Sequence, residues 1–502
     1  MEFHYDDLFS RINFQTCIIG ITMLLFLVYI TRDLRRNLLP GPWGIPGLGI
    51  IPFLGSQPQQ TLVRYSKKYG PVFSGYLGSR LVVFVNDFKS MKQMFAKSGD
   101  TFNDRPKLLV IDEISHGKGL ANGYLHLQLK EKRRFTMKIF RSLGIGKSRF
   151  ENTIVNELEY IKTELLEVAN TSVEYDPQHI IENAVSNIIC GIVFGKRYKY
   201  DDPKFNRFLS TLYAIFEMLS QSSVLNFLPI LRYIPGSGWK TVMNKIDTIM
   251  NEFIKFELKE HTETIDVNNP RDFIDEFLKT KFELENAGEN TDAFDQESAE
   301  QVVVDLFAAG TETTASTLKW AILYLALNPD IQAKVYDEIE SVCGQTNPPT
   351  LKDRPKLVYT EAVMMEVTRI RPAVPLGVPH GVLHDTYYEG HFIPKGTTVI
   401  QNVWAALHDQ TTWQEPEKFK PERFIDERCN IIKNEELIPF SIGRRSCPGE
   451  QLARINLYLF FTHLVHQFKF ELPPDKQKPT TEPHVGITLS PKPYQLIITN
   501  RN

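Results

Sequence analysis

At 502 residues the chain exceeds the size at which a single hydrophobic core stops growing, so one large fold or several domains are expected. Its 42% apolar and 23% charged residues are those of an ordinary globular protein, and a net charge of −3 leaves no global field to recruit nucleic acid. The five cysteines (Cys17, Cys190, Cys343, Cys429, Cys447) are scattered without a C-x-x-C pair, which argues against a zinc site or a disulfide framework and for free thiols in a reducing compartment.

Residues 14–30 read FQTCIIGITMLLFLVYI, the length of a membrane span. Glu2, Asp6 and Asp7 precede it and Arg32, Arg35 and Arg36 follow, which places the bulk of the chain in the cytosol by the positive-inside rule. A cleaved signal peptide is the weaker reading, because no small-residue cleavage site follows and the arginines lie on the wrong flank. Residues 1–36 are therefore read as a retained anchor with its flanking charges. Residues 37–50, containing Leu39-Pro-Gly-Pro-Trp-Gly-Ile-Pro-Gly47, form a stiff proline-rich hinge. Residues 51–502 are expected to form one domain.

Gly75 to Val85 predicts a small sheet. From Phe88 to Ser341 the pattern is mostly helical, broken at Leu228-Pro229 and Ile234-Pro-Gly-Ser-Gly238, with a long apolar-periodic helix over Gln301–Leu327 that ends near Asn328-Pro329. Val378 to Val403 returns to short strands. A proline-rich meander, one long helix and a terminal hairpin around Ser490-Pro-Lys-Pro493 complete the chain. The fold class is mainly α with small β-sheets (α+β), and no alternating βαβ pattern supports a Rossmann domain. His380-x3-His384 has zinc-like spacing but lies in an extended stretch and lacks the glutamate of H-E-x-x-H.

One stretch carries chemistry: Pro439-Phe-Ser-Ile-Gly-Arg-Arg-Ser-Cys-Pro-Gly-Glu450. Pro448 is expected at the first position of a helix whose apolar face includes Leu452, Ile455 and Leu459, which puts Cys447 at its N-terminal cap. Free N–H groups and the positive end of the macrodipole then face the sulfur. Arg445 adds a positive charge, and Gly443 lets the backbone turn close to the sulfur. All three lower the expected thiol pKa and make thiolate the working form. Such a thiolate serves as nucleophile, redox centre or metal ligand. No local histidine supplies a nucleophile's base, and an aromatic residue such as Phe440 beneath a sulfur on iron suits heme.

The spacing Phe440-x-x-Gly443-x-Arg445-x-Cys447-x-Gly449 resembles the heme-thiolate signature of the cytochrome P-450 family. Ala309-Gly-Thr-Glu-Thr-Thr314 resembles its oxygen-activating motif, and Glu366-Val-Thr-Arg369 its E-x-x-R helix. Pro421-Glu-Arg-Phe424, after Trp413 and Phe419, resembles its meander. Asn269-Pro-Arg-Asp-Phe-Ile-Asp275 and Pro375-Leu-Gly-Val-Pro-His380 look most like the microsomal animal clan containing family 2. With the anchor and hinge, the resemblance covers essentially the whole chain and implies the P-450 fold, preceded by one transmembrane helix, with heme b as cofactor.

The resemblance makes Cys447 the axial ligand of the heme iron, with Phe440 as its cover and Gly443 and Ala309 close to the heme. Glu366, Arg369 and Arg423 become a buried structural lock behind it. Thr313 as hydrogen-bond donor and Glu312 as relay would supply the two protons dioxygen needs before its O–O bond breaks. Small Ala309 and Gly310 would leave room for a diatomic ligand and water. The bland alternative for Thr313 is a hydroxyl bonded back to its own helix. Arg133, His380 and Arg445 are the expected propionate contacts. The family's W-x-x-x-R pattern is incomplete, since Leu129 stands four residues before Arg133 and cannot donate an indole N–H. Tyr124 and His126 are the nearby groups that would have to compensate.

Lys130, Lys132, Arg134, Lys138 and Arg141 form a basic stretch, either a solvated face or the dock for an acidic flavoprotein reductase. The resemblance implies that NADPH acts only through this reductase, with cytochrome b5 as an optional second donor. It also implies substrate contacts from Leu109–Ala121, Phe216, Val304–Ala309, Val374–Leu376 and Ile487. These residues are mostly apolar and suit a lipophilic ligand, while Val224–Ile234 is expected to dip into the bilayer. The implied activity is insertion of one oxygen atom from O2 into a lipophilic small molecule of xenobiotic, steroid, fatty-acid or terpenoid type. Its expected place is the endoplasmic reticulum membrane, facing the cytosol. Competing classes are a heme-thiolate isomerase or dehydratase that rearranges peroxides without electrons, against which Glu312-Thr313 argues, and a non-enzymatic heme-binding protein.

Overall fold

Val72–Leu77 (β1) and Arg80–Val85 (β2) run antiparallel with Leu77 opposite Arg80, so Gly78 and Ser79 alone make the turn. Gly78 has φ +60°, and a Cβ there would stand 2.1 Å from the Phe227 carbonyl oxygen, so the same glycine seats the 223–228 segment against the sheet. The 378–403 stretch supplies His380–Gly381 (β3), Thr386–Tyr388 (β4), His391–Ile393 (β5) and Thr398–Gln401 (β6). β6 pairs with β2 in parallel and carries β3 on its other edge, giving the order β1-β2-β6-β3, while β4 and β5 form their own hairpin. The computed structural model describes residues 19–20, 23, 37–124, 127–144, 148–171, 173–221 and 223–501.

The helices that position the site are Leu109–Ser115 (α1), Leu127–Ser142 (α2), Ser148–Thr171 (α3), Gln178–Val193 (α4), Lys255–Thr264 (α5), Phe273–Ala287 (α6), Gln296–Leu327 (α7), Val358–Ile370 (α8) and Glu450–Gln467 (α9). At 32 residues, α7 is about 48 Å long. It starts five residues earlier than its apolar periodicity predicts, because the Asp295 side chain accepts from Ser298 N at 2.7 Å and caps the polar first turn. Its end at Asn328-Pro329 is as expected. From Thr314 to Ala326 every residue of α7 is buried, against α4, α8 and α9. Apolar residues of α3, α4, α7, α8 and α9 merge into the main core, and a second cluster around Trp413 and Phe424 lies under the meander.

The last strands are Phe468–Glu471 (β7), Pro483–Val485 (β8), Leu489–Pro491 (β9) and Ile497–Asn500 (β10). β7 pairs with β10, and β8 with β9. The β8–β9 turn falls at residues 486–488, not at Ser490–Pro493. Pro491 lacks a ladder N–H but is tolerated at the end of an edge strand, so the prolines mark the exit from the hairpin instead of its tip. No described helix is long and apolar enough to cross a membrane. The 14–30 segment expected to do so lies outside the described residues, apart from Ile19, Gly20 and Met23.

Beside the Lys319–Glu182 pair that joins α7 to α4 at 2.8 Å, two further buried ionic links hold this architecture. Glu366 and Arg369, one turn apart on α8, are both 0% exposed. Arg369 donates from Nε and Nη2 to the two Glu366 oxygens at 2.7 and 2.9 Å, and to the carbonyls of Leu407 and Pro416. Arg423 reaches the same carboxylate at 3.1–3.2 Å and bonds the carbonyls of Gln414, Glu415 and Lys418. The three residues of the expected lock meet at one carboxylate and fasten the meander to α8. The second link joins α5 to the start of α6, where His261 Nε2 lies 2.9 Å from Asp272 Oδ2 and its Nδ1 meets the Glu257 carbonyl at 2.6 Å. With Asp275 these side chains cluster closely enough to resemble a metal site, but Asp275 is already engaged by Arg271.

Replacing Arg369 with Ala strands a buried carboxylate and should cost about 3–5 kcal/mol, read as a lowered denaturant midpoint; Arg369→Lys should recover only part, lacking the fork. Burial lowers the His261 pKa, but the Asp272 and Glu257 bonds outweigh it and leave a net rise above the usual 6.5. The charged link is therefore fully stabilising below about pH 6.5 and is lost as pH rises through the higher folded value. Melting curves should accordingly show His261→Gln lowering Tm more at pH 6 than at pH 9.

Candidate active site

The Cys447 loop is irregular backbone closed by its own hydrogen bonds, with Cys447 N donating to Phe440 O at 3.0 Å and Ser446 N to Gly443 O at 3.1 Å. Gly443 has φ +83°, and a Cβ there would lie 2.1 Å from Phe95 O, so only glycine fits this cradle. α9 begins at Glu450 with Gly449 as its cap, so Cys447, expected to be the cap, lies two residues before it, and Pro448 precedes the helix. The side chain of Cys447 is exposed, toward a space enclosed by protein, and this crowding pushes its thiol pKa up. The Gly449 N–H and the Arg133 charge pull it down, while Glu450 adds to the rise. The expected net lowering is not found: burial outweighs the Gly449 N–H and Arg133, and Arg445 bonds Asn103 O (2.9 Å) and Gly123 O (2.6 Å) instead. Phe440 is fixed by the Arg454 guanidinium, 4.9 Å from its ring centroid.

Three arginines gather beside this loop. Arg133 Nη2 donates to Ser446 O at 2.9 Å, and Arg445 is buried with Nη1 lacking any partner. Arg105, which sequence reasoning missed, bonds the carbonyls of Ala121, Val378 and Pro379. None of the three forms an ion pair with a carboxylate in the described structure. Burial lowers their pKa values, to about 10 for Arg445, and mutual repulsion adds to this for Arg105 and Arg445. His380 is buried, with Nδ1 on Phe102 O at 2.9 Å and Nε2 facing the Gln401 amide at 3.0 Å. Burial and Arg105 pull it well below 6.5, so it is a neutral ring with both nitrogens engaged. Its expected propionate contact would require breaking one of these bonds. Leu129 is buried, Tyr124 donates to Asp112 at 2.5 Å, and His126 lies outside the described residues.

On helix α7, Ala309 is exposed although the helix is buried throughout from Thr314 to Ala326. Thr313 lines one pocket with Phe440, Ala453 and Leu457, which brings the two motifs face to face. Its hydroxyl donates to Ala309 O at 2.7 Å, the back-bonded arrangement weighed above. Gly310 does not make room for a ligand: a Cβ there would meet Ile189 Cδ1 of α4 at 2.6 Å, so this glycine serves helix packing. Glu312 is buried and accepts hydroxyl bonds from Ser316, Thr488 and Ser490.

The 116–121 loop is strapped to α7 by Lys118 with Asp295 (2.5 Å) and Glu297 (2.6 Å), by His116 with Glu297, and by Ala121 N with Asp305 Oδ2 at 2.9 Å. Lys132, expected on the basic outer face, is instead buried, its Nζ on Lys118 O (2.6 Å) and Ser298 Oγ (2.7 Å) and its pKa lowered by burial to about 8. Lys130, Arg134, Lys138 and Arg141 are exposed and spaced to share one face of α2.

A helical fold in which a cysteine loop faces a threonine-bearing helix, flanked by unpaired arginines, defines a heme-thiolate protein. A family model described as Cytochrome P450 matches residues 39–498. The chain is 36% identical to human Cytochrome P450 2U1 over 508 residues, covering 96% of this chain and 93% of that protein. It is 35% identical to Cytochrome P450 2D26 of Rattus norvegicus, covering 99% of each, and 33% identical to Cytochrome P450 2D27 of Mesocricetus auratus, covering 98% of each. The chain belongs to the cytochrome P450 family, whose members are heme-dependent monooxygenases.

The residues present fit heme b. The glycine cradle, the exposed Cys447 sulfur and the orphaned Arg445 Nη1 would give such a group a ligand for its iron and a free donor for a propionate. A charge-assisted bond of about 1.5–3 kcal/mol is lost with each such arginine. Arg445→Gln and Arg105→Gln should therefore speed heme transfer to excess apomyoglobin by at least about tenfold, measured by absorbance.

Proposed function

We propose that this protein is a membrane-associated monooxygenase that inserts one oxygen atom into a lipophilic small molecule, with NADPH electrons delivered by a flavoprotein reductase. Residues 51–502 act as one catalytic unit. The observation that carries this reading is the pocket shared by Thr313 of α7 and Phe440 of the cysteine loop, together with the buried, unpartnered Nη1 of Arg445 in that same loop. The overall change is RH + O2 + NADPH + H⁺ → ROH + H2O + NADP⁺. When bound, heme would supply the oxygen and electron chemistry, its reactivity tuned by a thiolate ligand. Cys447 would provide that ligand, Phe440 would shield the sulfur, and Arg105, Arg133 and Arg445 would hold the propionates. Glu312 and Thr313 supply protons from the facing side, the Thr313 hydroxyl turning from Ala309 O when it donates.

Association with a bilayer is supported by exposed apolar residues from two separated segments. Trp43 and Phe53 belong to one, Ile230 (72% exposed) and Tyr233 (71%) to the other. The Gly78 turn adjoins both, donating to Leu48 O and contacting Phe227. With the 14–30 segment this patch suits a protein held on the cytosolic face of the endoplasmic reticulum, drawing apolar substrate from lipid. The exposed basic stripe of α2 suits an acidic reductase.

Reconstitution with reductase should give product whose new oxygen derives from labelled O2, with NADPH consumed in step. Turnover of a hydroperoxide with no reductase, and no NADPH-dependent product, would establish the isomerase reading instead. The reduced protein with carbon monoxide should show a red-shifted thiolate-type Soret band, and Cys447→Ala should abolish it; a wild type without this band would defeat both enzymatic readings.

A further inference from the structure

Glu312 adjoins Thr313 in sequence, yet its carboxylate is held by a distant part of the chain. Oε1 accepts from Thr488 Oγ1 at 2.9 Å, Ser316 Oγ at 3.0 Å and Ser490 Oγ at 3.1 Å, and the two serine hydroxyls lie 2.7 Å apart. Glu312 is 5% exposed and forms no ion pair among the described residues, while its Oε2 is buried without a hydrogen-bond partner. A buried carboxylate without a cation requires donors, and here all of them converge on one oxygen.

The donors sit on a fixed frame. Thr488 closes the β8–β9 turn and Ser490 lies in β9. This hairpin is tied to α7 by Trp320 Nε1 donating to Leu489 O at 2.9 Å, and to the stretch after α8 by Leu489 N donating to Ala373 O at 2.9 Å. The hairpin and α7 therefore move together, and the hydroxyls keep their aim.

We propose that Thr488 and Ser490, with Ser316, are positioning residues for proton delivery: they anchor Oε1 of Glu312 so that Oε2 is presented for exchange with the Thr313 side of α7. The terminal hairpin thus takes part in oxygen chemistry as well as lining the substrate region. This inference rests on the reading of Glu312 as a proton source.

Dioxygen itself is the probe, in substrate-free turnover of the heme-loaded enzyme with reductase. Reduction to water follows O2 + 2 NADPH + 2 H⁺ → 2 H2O + 2 NADP⁺. Premature release of peroxide follows O2 + NADPH + H⁺ → H2O2 + NADP⁺. The Thr488→Val/Ser490→Ala double variant should raise peroxide formed per NADPH severalfold with an unchanged carbon monoxide band. Thr488→Ser should behave as wild type. Melting temperatures supply a readout independent of turnover: the double variant and Glu312→Gln should each lower Tm, and their combination should lower it by less than the sum.

An unchanged peroxide yield in the double variant, an equal rise in Thr488→Ser, or additive melting shifts would overturn the proposal. Should the double variant fail to fold, Ser490→Ala alone, at a half-buried position, carries the same prediction at reduced size. If Glu312→Gln leaves the partition unchanged, the proton-source reading fails first, and the melting cycle still decides whether the hydroxyls hold the carboxylate.

Discussion

One carboxylate, that of Glu366, organises the half of the molecule that holds the cysteine loop. It accepts from both forks of Arg369, from Arg423 and from the Lys420 N–H, and these donors come from α8 and from the meander. The meander has almost no regular secondary structure, so its carbonyls have no ladder to enter. The guanidinium groups of Arg369 and Arg423 take that place for Leu407, Gln414, Glu415, Pro416 and Lys418. Charge is tolerated there because almost every donor and lone pair is used. The Cys447 loop follows directly in the chain and inherits its position from this anchorage.

The contrast with the space between α7 and the cysteine loop is sharp in physical terms. Arg445 Nη1 beside the cysteine loop and Glu312 Oε2 on α7 are buried without partners, and three arginines meet carbonyl dipoles where the lock has a carboxylate. These incomplete groups are local conflicts where a cofactor and protons would belong, although other buried atoms such as Asn183 Oδ1 and His408 Nε2 also lack partners among the described residues. The raised thiol of Cys447 belongs to the same pattern, since the protein surroundings alone do not favour its anion.

What was legible in the residues depended on the range of the interaction. Glu366 and Arg369 lie one helical turn apart, and Cys447 sits in a loop whose glycine and arginine spacing is local, so short motifs sufficed. The helix-dominated architecture and the end of α7 at Asn328-Pro329 were legible for the same reason. Arg105 was not, because its role arises only when residues near 121, 379 and 445 are folded together. Gly310 was misread as space for a ligand because its crowding comes from Ile189 on another helix, and Lys132 as a surface charge because Ser298 is far along the chain. The start of α9 was placed two residues early because proline is equally at home just ahead of a cap.

Helix α2 has one further consequence, which is mechanical. Its adjacent residues Lys132 and Arg133 grip different bodies, the first the strapped loop at Lys118 and the first turn of α7, the second the cysteine loop at Ser446. The outward face between them carries Lys130, Arg134 and Lys138. α2 is thus a common axle: it cannot roll or slide without displacing the entrance strap and the sulfur-bearing loop together. A load applied to its charged outer surface reaches both ends of the site through a single turn of helix, with no intervening flexible segment to absorb it.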